Sequence, residues 1–252
     1  GDATLRADAT VDNAGTVCAV GRLAMHAGDA IQGAGLVAAG TAVDLQAAQL
    51  DLSGAQVLSG DIHLQASRGD LVVAGATVEA SGALDIRTTG TLRADRADLL
   101  GRSLSVDAQA LSTQGGGRMA STGDAQVKVA SDFDHAGDLY AEGRLSLQVG
   151  GRLANHGLVD GKTVAIDAHR LHNLDGGRIY GDVLSIGAVE LVNAGAGGLA
   201  PVIAARQALD LGVGTLDNRE HALVLSAGDL ALGGALDADR RATGQAAQVT
   251  NA

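Results

Sequence analysis

Several residues in this chain could do chemistry by type and spacing. Arg68-Gly69-Asp70 is the tripeptide read by integrins, a guanidinium and a carboxylate splayed about a glycine. It falls between the strand residues Ile62/Leu64 and Leu71/Val73, so its plainer role is to solvate a corner. Asp44, His63 and Asp85 recur at near-equal spacing, as carboxylates on neighbouring turns of a polysaccharide-cleaving fold do. A glycosidase pair needs two acids about 5–9.5 Å apart in a groove, and groove walls need long loops that the spacing up to residue 191 does not provide. Arg87, Asp107 and Lys128 form a second such row, and their alternating sign reads as a surface ladder. His135, His156 and His172 approach one repeat position, with His169 close by. Metal ligation needs nitrogens converging at about 2.1 Å. These three sit on, after and before the shared position, which predicts diverging side chains. Tyr140 and Tyr180 flank Asp160 on outward positions, about 10 Å apart if each turn rises as strands do. Such rings can stack on a sugar chain or stand alone. Cys18 has no second cysteine to pair with. No H-E-x-x-H, G-x-S-x-G or Gly-rich phosphate loop occurs. No catalytic residue, cofactor or metal is expected.

What positions these side chains is a repeat. The pattern apolar–x–Asn (or a substitute)–x–Gly starts at Val11, Ile31, Leu50, Leu71, Leu92, Leu111, Phe133, Leu153, Leu171, Leu191, Leu216 and Val249. The steps stay between 18 and 22 residues up to Leu191, then lengthen to 25 and 33. Self-similarity at this period marks a solenoid. Within each repeat, apolar and polar residues alternate with the strand period of two, and Gly, Asn and Asp mark the corners. Each repeat therefore reads as three short strands. The third is clearest, with Leu23/Met25, Val43/Leu45, Ile62/Leu64, Leu84/Ile86, Leu104/Val106, Ala125/Val127, Leu145/Leu147, Val164/Ile166 and Leu184/Ile186 predicted to point inward.

The expected architecture is all-β, a right-handed parallel β-helix of about twelve rungs and three strands per rung, roughly 55–60 Å long. Leucine-rich repeats share the period, but their Asn lies in L-x-x-L-x-L-x-x-N, whereas here Asn follows its apolar partner by two. Residues 1–252 read as one β-helix segment of a longer solenoid. Residues 216–249 read as expanded rungs, with Leu223-Val224-Leu225 and Leu230-Ala231-Leu232 forming a hairpin about Gly228-Asp229 that projects from the rod. Asn13, Asn155, Asn173, Asn193, Asn218 and Asn251 share one rung position, and stacked amides there predict a structural ladder. Gly33, Leu52, Val73, Ala94, Thr113 and His135 interrupt it.

Composition supports a thin rod, with 37 glycines, one proline and 1% aromatics in 252 residues. At 46% hydrophobic the chain is too apolar for disorder. No apolar run is long enough to span a bilayer as a helix. Net charge is −11 and only two of the 18 bases are lysines, so no basic stripe exists for nucleic acid. The N-terminus, Gly-Asp-Ala-Thr, shows no signal peptide.

Val164 through Ala168, Leu171-His172-Asn173 and Gly176-Gly177-Arg178-Ile179 resemble the haemagglutinin repeats of two-partner-secretion exoproteins, which filamentous haemagglutinin and the contact-dependent inhibition toxins share. The stretch Leu216-Asp217-Asn218-Arg219-Glu220-His221-Ala222-Leu223, with Ser226 to Leu230, Gly233 to Asp237 and Gly244, is similar to a longer motif recurring in those proteins. The resemblance implies a very large β-helix, exported through an outer-membrane partner and acting at the bacterial surface as an adhesin or toxin-bearing stalk. It implies a host receptor, an integrin or a glycan, as partner. The family's N-terminal secretion domain with Asn-Pro-Asn motifs and its C-terminal toxin have no counterpart in these residues. A polysaccharide-cleaving or polysaccharide-binding β-helix is the alternative.

Overall fold

Alternating side chains and glycine-rich corners produce stacked coils in the computed structural model, which describes residues 1–195 and 198–252. No helix occurs among the described residues. Strands of successive turns pair in parallel and form three long faces. The first face joins Val11, Ile31, Leu50, Leu71, Leu92, Leu111, Phe133, Leu153, Leu171, Leu191, Leu216 and Val249 in one unbroken register. The second runs from Val17 through Val37, Val57, Val78, Leu99 and Met119 to Leu139, Val159, Ile179, Ile203 and Val224. The third carries Leu5, Met25, Leu45, Leu64, Ile86, Val106, Val127, Leu147, Ile166, Ile186, Leu211 and Leu232. The parallel β-helix is thus the fold that the repeat predicts.

All three inward rows meet in one core, and most of its Leu, Ile and Val side chains are sealed from solvent. Phe133 is the largest of them and takes the first-face position in its rung. From Asp138 onward the corners are so tight that strand geometry continues through whole turns, as in Asp138–Asn155, Leu158–Leu174 and Arg178–Ala194.

The corners after the first face close in two ways. Where Leu52 and Val73 stand at the Asn position, a backbone turn closes the corner. Ala55 N donates to Leu52 O at 2.9 Å and Ala76 N to Val73 O at 2.9 Å. Gly54 and Gly75 supply the positive φ of 69° and 64° that this turn needs. At Ala94 the same turn forms with Arg96 at φ 56°, a conformation uncommon for a residue with a side chain. Where Asn stands, its amide bonds the corner backbone, and at Asn173 and Asn218 a backbone turn forms beside it, Gly177 N donating to Leu174 O at 2.8 Å and Ala222 N to Arg219 O at 3.2 Å.

The hairpin expected at 223–232 is not there. Leu223–Ser226 and Asp229–Gly233 pair in parallel with Val202–Arg219, as ordinary rung strands. Gly228-Asp229 is an ordinary corner between them. The excursion comes after that second strand, where Ala235–Leu236 pairs antiparallel with Ala242–Thr243. Its turn is built by Asp237, whose carboxylate accepts from Asp239 N at 3.0 Å and Arg241 N at 2.8 Å. The hairpin folds back over the third face. Arg240 donates to Asp167 at 2.8 and 3.1 Å and to Ser185 Oγ at 2.7 Å, two rungs away. Arg241 N–H groups reach Asp210 at 3.3 Å. Ser185 and Asp210 point outward yet are buried, because this hairpin covers them.

Candidate functional site

Among the described residues, no deep cleft with convergent polar groups exists, so each candidate set stands on a wall or corner of the rod. The Arg68-Gly69-Asp70 corner is the sharpest. Gly69 is wedged between rungs, with the Gln49 side chain below it and Gly90 above. Asp70 is committed to the next rung, where Oδ1 accepts from Thr91 N at 2.8 Å and Oδ2 from the Arg93 guanidinium at 3.4 Å. Arg68 is exposed, and its guanidinium lies back to donate to Gly28 O at 3.2 Å, two rungs away. The tripeptide therefore lies flat against the rod.

Asp44, His63 and Asp85 are in register on three successive rungs. They share no groove, and each acid has its own cation. Arg22 bonds Asp44 at 2.6 Å, and Arg87 bonds Asp85 at 3.0 Å. His63 Nδ1 stands 3.4 Å from Asp85. The two carboxylates are two rungs apart, about 10 Å along the axis, beyond the span of a glycosidase pair. Arg87, Asp107 and Lys128 also align, but Arg87 turns sideways to Asp85 on its own strand. Cys18 is exposed and free.

The histidines separate as their register dictates. His156 faces Asp175 at 3.7 Å and His172 faces Glu190 at 4.0 Å, both outside the core. Burial lowers the His172 pKa, partly offset by Glu190. No group of three or more His, Cys, Asp or Glu side chains among the described residues is placed to hold a metal ion.

His135 points inward and is fully buried. It stacks at the head of the Asn column, opposite Asn155 in the register. Nε2 lies 3.0 Å from Leu158 O and must donate to it, so Nδ1 is the acceptor, 3.0 Å from Thr113 Oγ1. The neutral ring satisfies both contacts. Burial drives its pKa from 6.5 down to about 4, against the raising effect of Leu158 O. The folded pKa is the depressed one. The stabilisation is therefore complete above pH 6.5 and is lost as pH falls from there through about 4. Acidification across this window should cost about 3 kcal/mol from this residue alone. His135→Asn keeps a donor at the position and removes the titration. Urea midpoints of the two proteins should diverge as pH falls, and parallel pH profiles would exclude His135 as the cause.

Above His135, the amides of Asn155, Asn173, Asn193, Asn218 and Asn251 form a continuous chain. Each Nδ2 donates to the next Oδ1 at 2.8, 2.8, 2.7 and 2.7 Å in turn. The second amide hydrogen of Asn173 serves Gly177 O at 3.1 Å, that of Asn193 serves Leu223 O at 3.1 Å, and that of Asn218 serves Ala222 O at 3.0 Å. Asn155, Asn173 and Asn193 are fully buried. Asn13 stands apart from this chain, bonding Leu36 O at 3.1 Å.

Comparison with known proteins adds one relative to this geometry. Over 112 residues, 43% of this chain, the sequence is 37% identical to the toxin CdiA of Yersinia pestis. That similarity and the β-helical rod fit a haemagglutinin-like repeat region of a two-partner-secretion exoprotein. The matched segment is 3% of the toxin's own length, so this chain matches a small part of that protein. No family model matches the chain. No solved structure matches it either. The uniform rung explains why candidate residues line up in rows without enclosing a site. A repeat of about 20 residues leaves three short strands and three corners and no spare chain for walls.

Proposed function

We propose that residues 1–252 form one β-helical segment of a large secreted bacterial surface exoprotein, non-enzymatic, and acting in adhesion or as a rigid stalk. The observation that carries this reading is the uninterrupted register of the first face through twelve rungs. A rod of near-constant cross-section transmits length and stiffness, and stacked rungs resist bending because the hydrogen bonds between paired strands of successive rungs run along the axis. In this reading an outer-membrane partner exports the parent protein, and its contacts lie on a host cell-surface receptor, an integrin or a glycan. Asp70, tied to Thr91 and Arg93, serves the corner before it serves a receptor.

Excision of whole rungs in the parent exoprotein tests the proposal. Removing residues 62–103 joins equivalent positions and shortens the rod by two rungs, about 10 Å. Surface display and folding should survive that deletion and fail for one that removes half a rung. In parallel, immobilised chain and its Asp70→Glu variant are compared for attachment of integrin-bearing cells, and equal attachment removes the tripeptide as a receptor site. New reducing ends released from polysaccharides by the purified chain would overturn the non-enzymatic assignment.

A further inference from the structure

The second face carries a row that neither the fold nor the stalk needs. Tyr140, Asp160 and Tyr180 occupy one outward position on three successive rungs. They include both tyrosines of the chain, whose one other aromatic of the Phe/Trp/Tyr kind, Phe133, is buried. Two rungs separate the rings by about 10 Å. Both tyrosines and Asp160 are half-buried. Ala120 precedes the row and Ala204 follows it in the same register, so small side chains extend a flat floor at either end.

Between the rings, Asp160 Oδ1 is closed off from solvent and accepts no hydrogen bond. An unpaired buried acceptor is costly, and a ligand hydroxyl that donates to it would recover the bond. The adjoining outward row reads Arg118, Asp138, Leu158 and Arg178, so with Asp160 the strip holds two bases and two acids. A polyanion gains nothing from that balance, whereas an uncharged ligand loses nothing.

We propose that this strip binds an uncharged, equatorially linked polysaccharide lying along the rod axis. Alternate residues of such a chain turn the same face toward one side at a repeat close to two rungs. Two of its sugar rings stack on Tyr140 and Tyr180, where the C–H face of a pyranose meets the π face of a phenol ring. The sugar between them donates a hydroxyl hydrogen to the Asp160 carboxylate. The inference deepens the adhesive part of the proposed function and rests on it for its biological role, but it is tested on the chain alone.

The chain contains no tryptophan, so its two tyrosines dominate its intrinsic fluorescence and report directly on the site. The chain is titrated with β-1,4-linked hexasaccharides of glucose and of N-acetylglucosamine, with the α-1,4-linked glucose hexamer and heparin as comparisons. The β-linked hexamers should change tyrosine emission with saturation, and the α-linked hexamer and heparin should bind at least tenfold more weakly. Tyr140→Ala and Tyr180→Ala should each weaken calorimetric binding tenfold or more. Tyr180→Phe should retain most of it, and Asp160→Asn should weaken it less than either alanine. Circular dichroism checks that each variant remains a β-rod. Absence of saturable binding, affinity unchanged in both alanine variants, or preference for heparin would each overturn the proposal. None of these results would touch the stalk reading, which rests on the rungs.

Discussion

Asn173→Asp should destabilise the rod by about 3–5 kcal/mol at neutral pH, although it changes one amide to an isosteric carboxylate. Asn173 accepts from Asn155 Nδ2 at 2.8 Å and donates to Asn193 Oδ1 at 2.8 Å, Gly177 O at 3.1 Å and Val202 O at 3.3 Å. An ionised Asp keeps the first bond and loses all three donations. Its second oxygen would then face the Asn193 oxygen in the fully buried stretch of the column from Asn155 to Asn193. Low dielectric makes an unpaired charge there costly and strengthens intact amide chains by mutual polarisation. The penalty should shrink on acidification, because a protonated carboxyl regains one donor toward Asn193. Comparison with wild type at each pH cancels the His135 contribution, which both proteins share. Urea midpoints measured from neutral to acid pH read the effect. A difference below about 1 kcal/mol at neutral pH would show that water reaches the column, or that the ladder adds no stability.

The repeat made most of the fold legible because two constraints agree at every rung. An inward position must be apolar, and an equivalent position must recur after one turn. Leu71, preceded by Gly69 and Asp70 in the sequence, could open a strand or end a loop on its own, but the spacing to Leu50 and Leu92 places it on the first face. Row partners such as Asp44, His63 and Asp85 follow from the same arithmetic. What side chains do within a row is not legible, because contacts depend on rotamers and on neighbours across the strand. Arg87 chose Asp85 on its own strand over Asp107 on the next rung. Asp70 caps Thr91 through a corner whose shape the spacing does not specify. The hairpin was misplaced because Leu223-Val224-Leu225 and Leu230-Ala231-Leu232 alternate about a Gly-Asp pair, which suits a reversal and a rung corner equally. A better signal was the run Asp237-Ala238-Asp239-Arg240-Arg241, which has no apolar residue larger than alanine to send inward. Such a run must leave the coil, and Arg240 finds its partners on the outer wall.

Leu145→Ala should cost about 2–5 kcal/mol, while Ser146→Ala, one residue on, should cost under about 0.5 kcal/mol. Leu145 is fully buried and stacks between Ala125 below and Val164 above. Ser146 faces outward between Gln126 and Ala165. The neighbours make the contrast sharper. Ala125 is already a small inward residue, so a second alanine directly above it sets two small side chains on adjacent rungs. The surrounding strands are fixed by parallel pairing on both sides and cannot collapse into the space. The loss should also be local. Each rung contacts only its neighbours, so amide protection should fall first in the turns opened by Leu111, Phe133 and Leu153, while the rungs opened by Ile31 and Leu50 keep theirs. Denaturant midpoints that ranked the two variants in the opposite order would mean that the third face is one residue out of register, which would send every side chain on it to the other side.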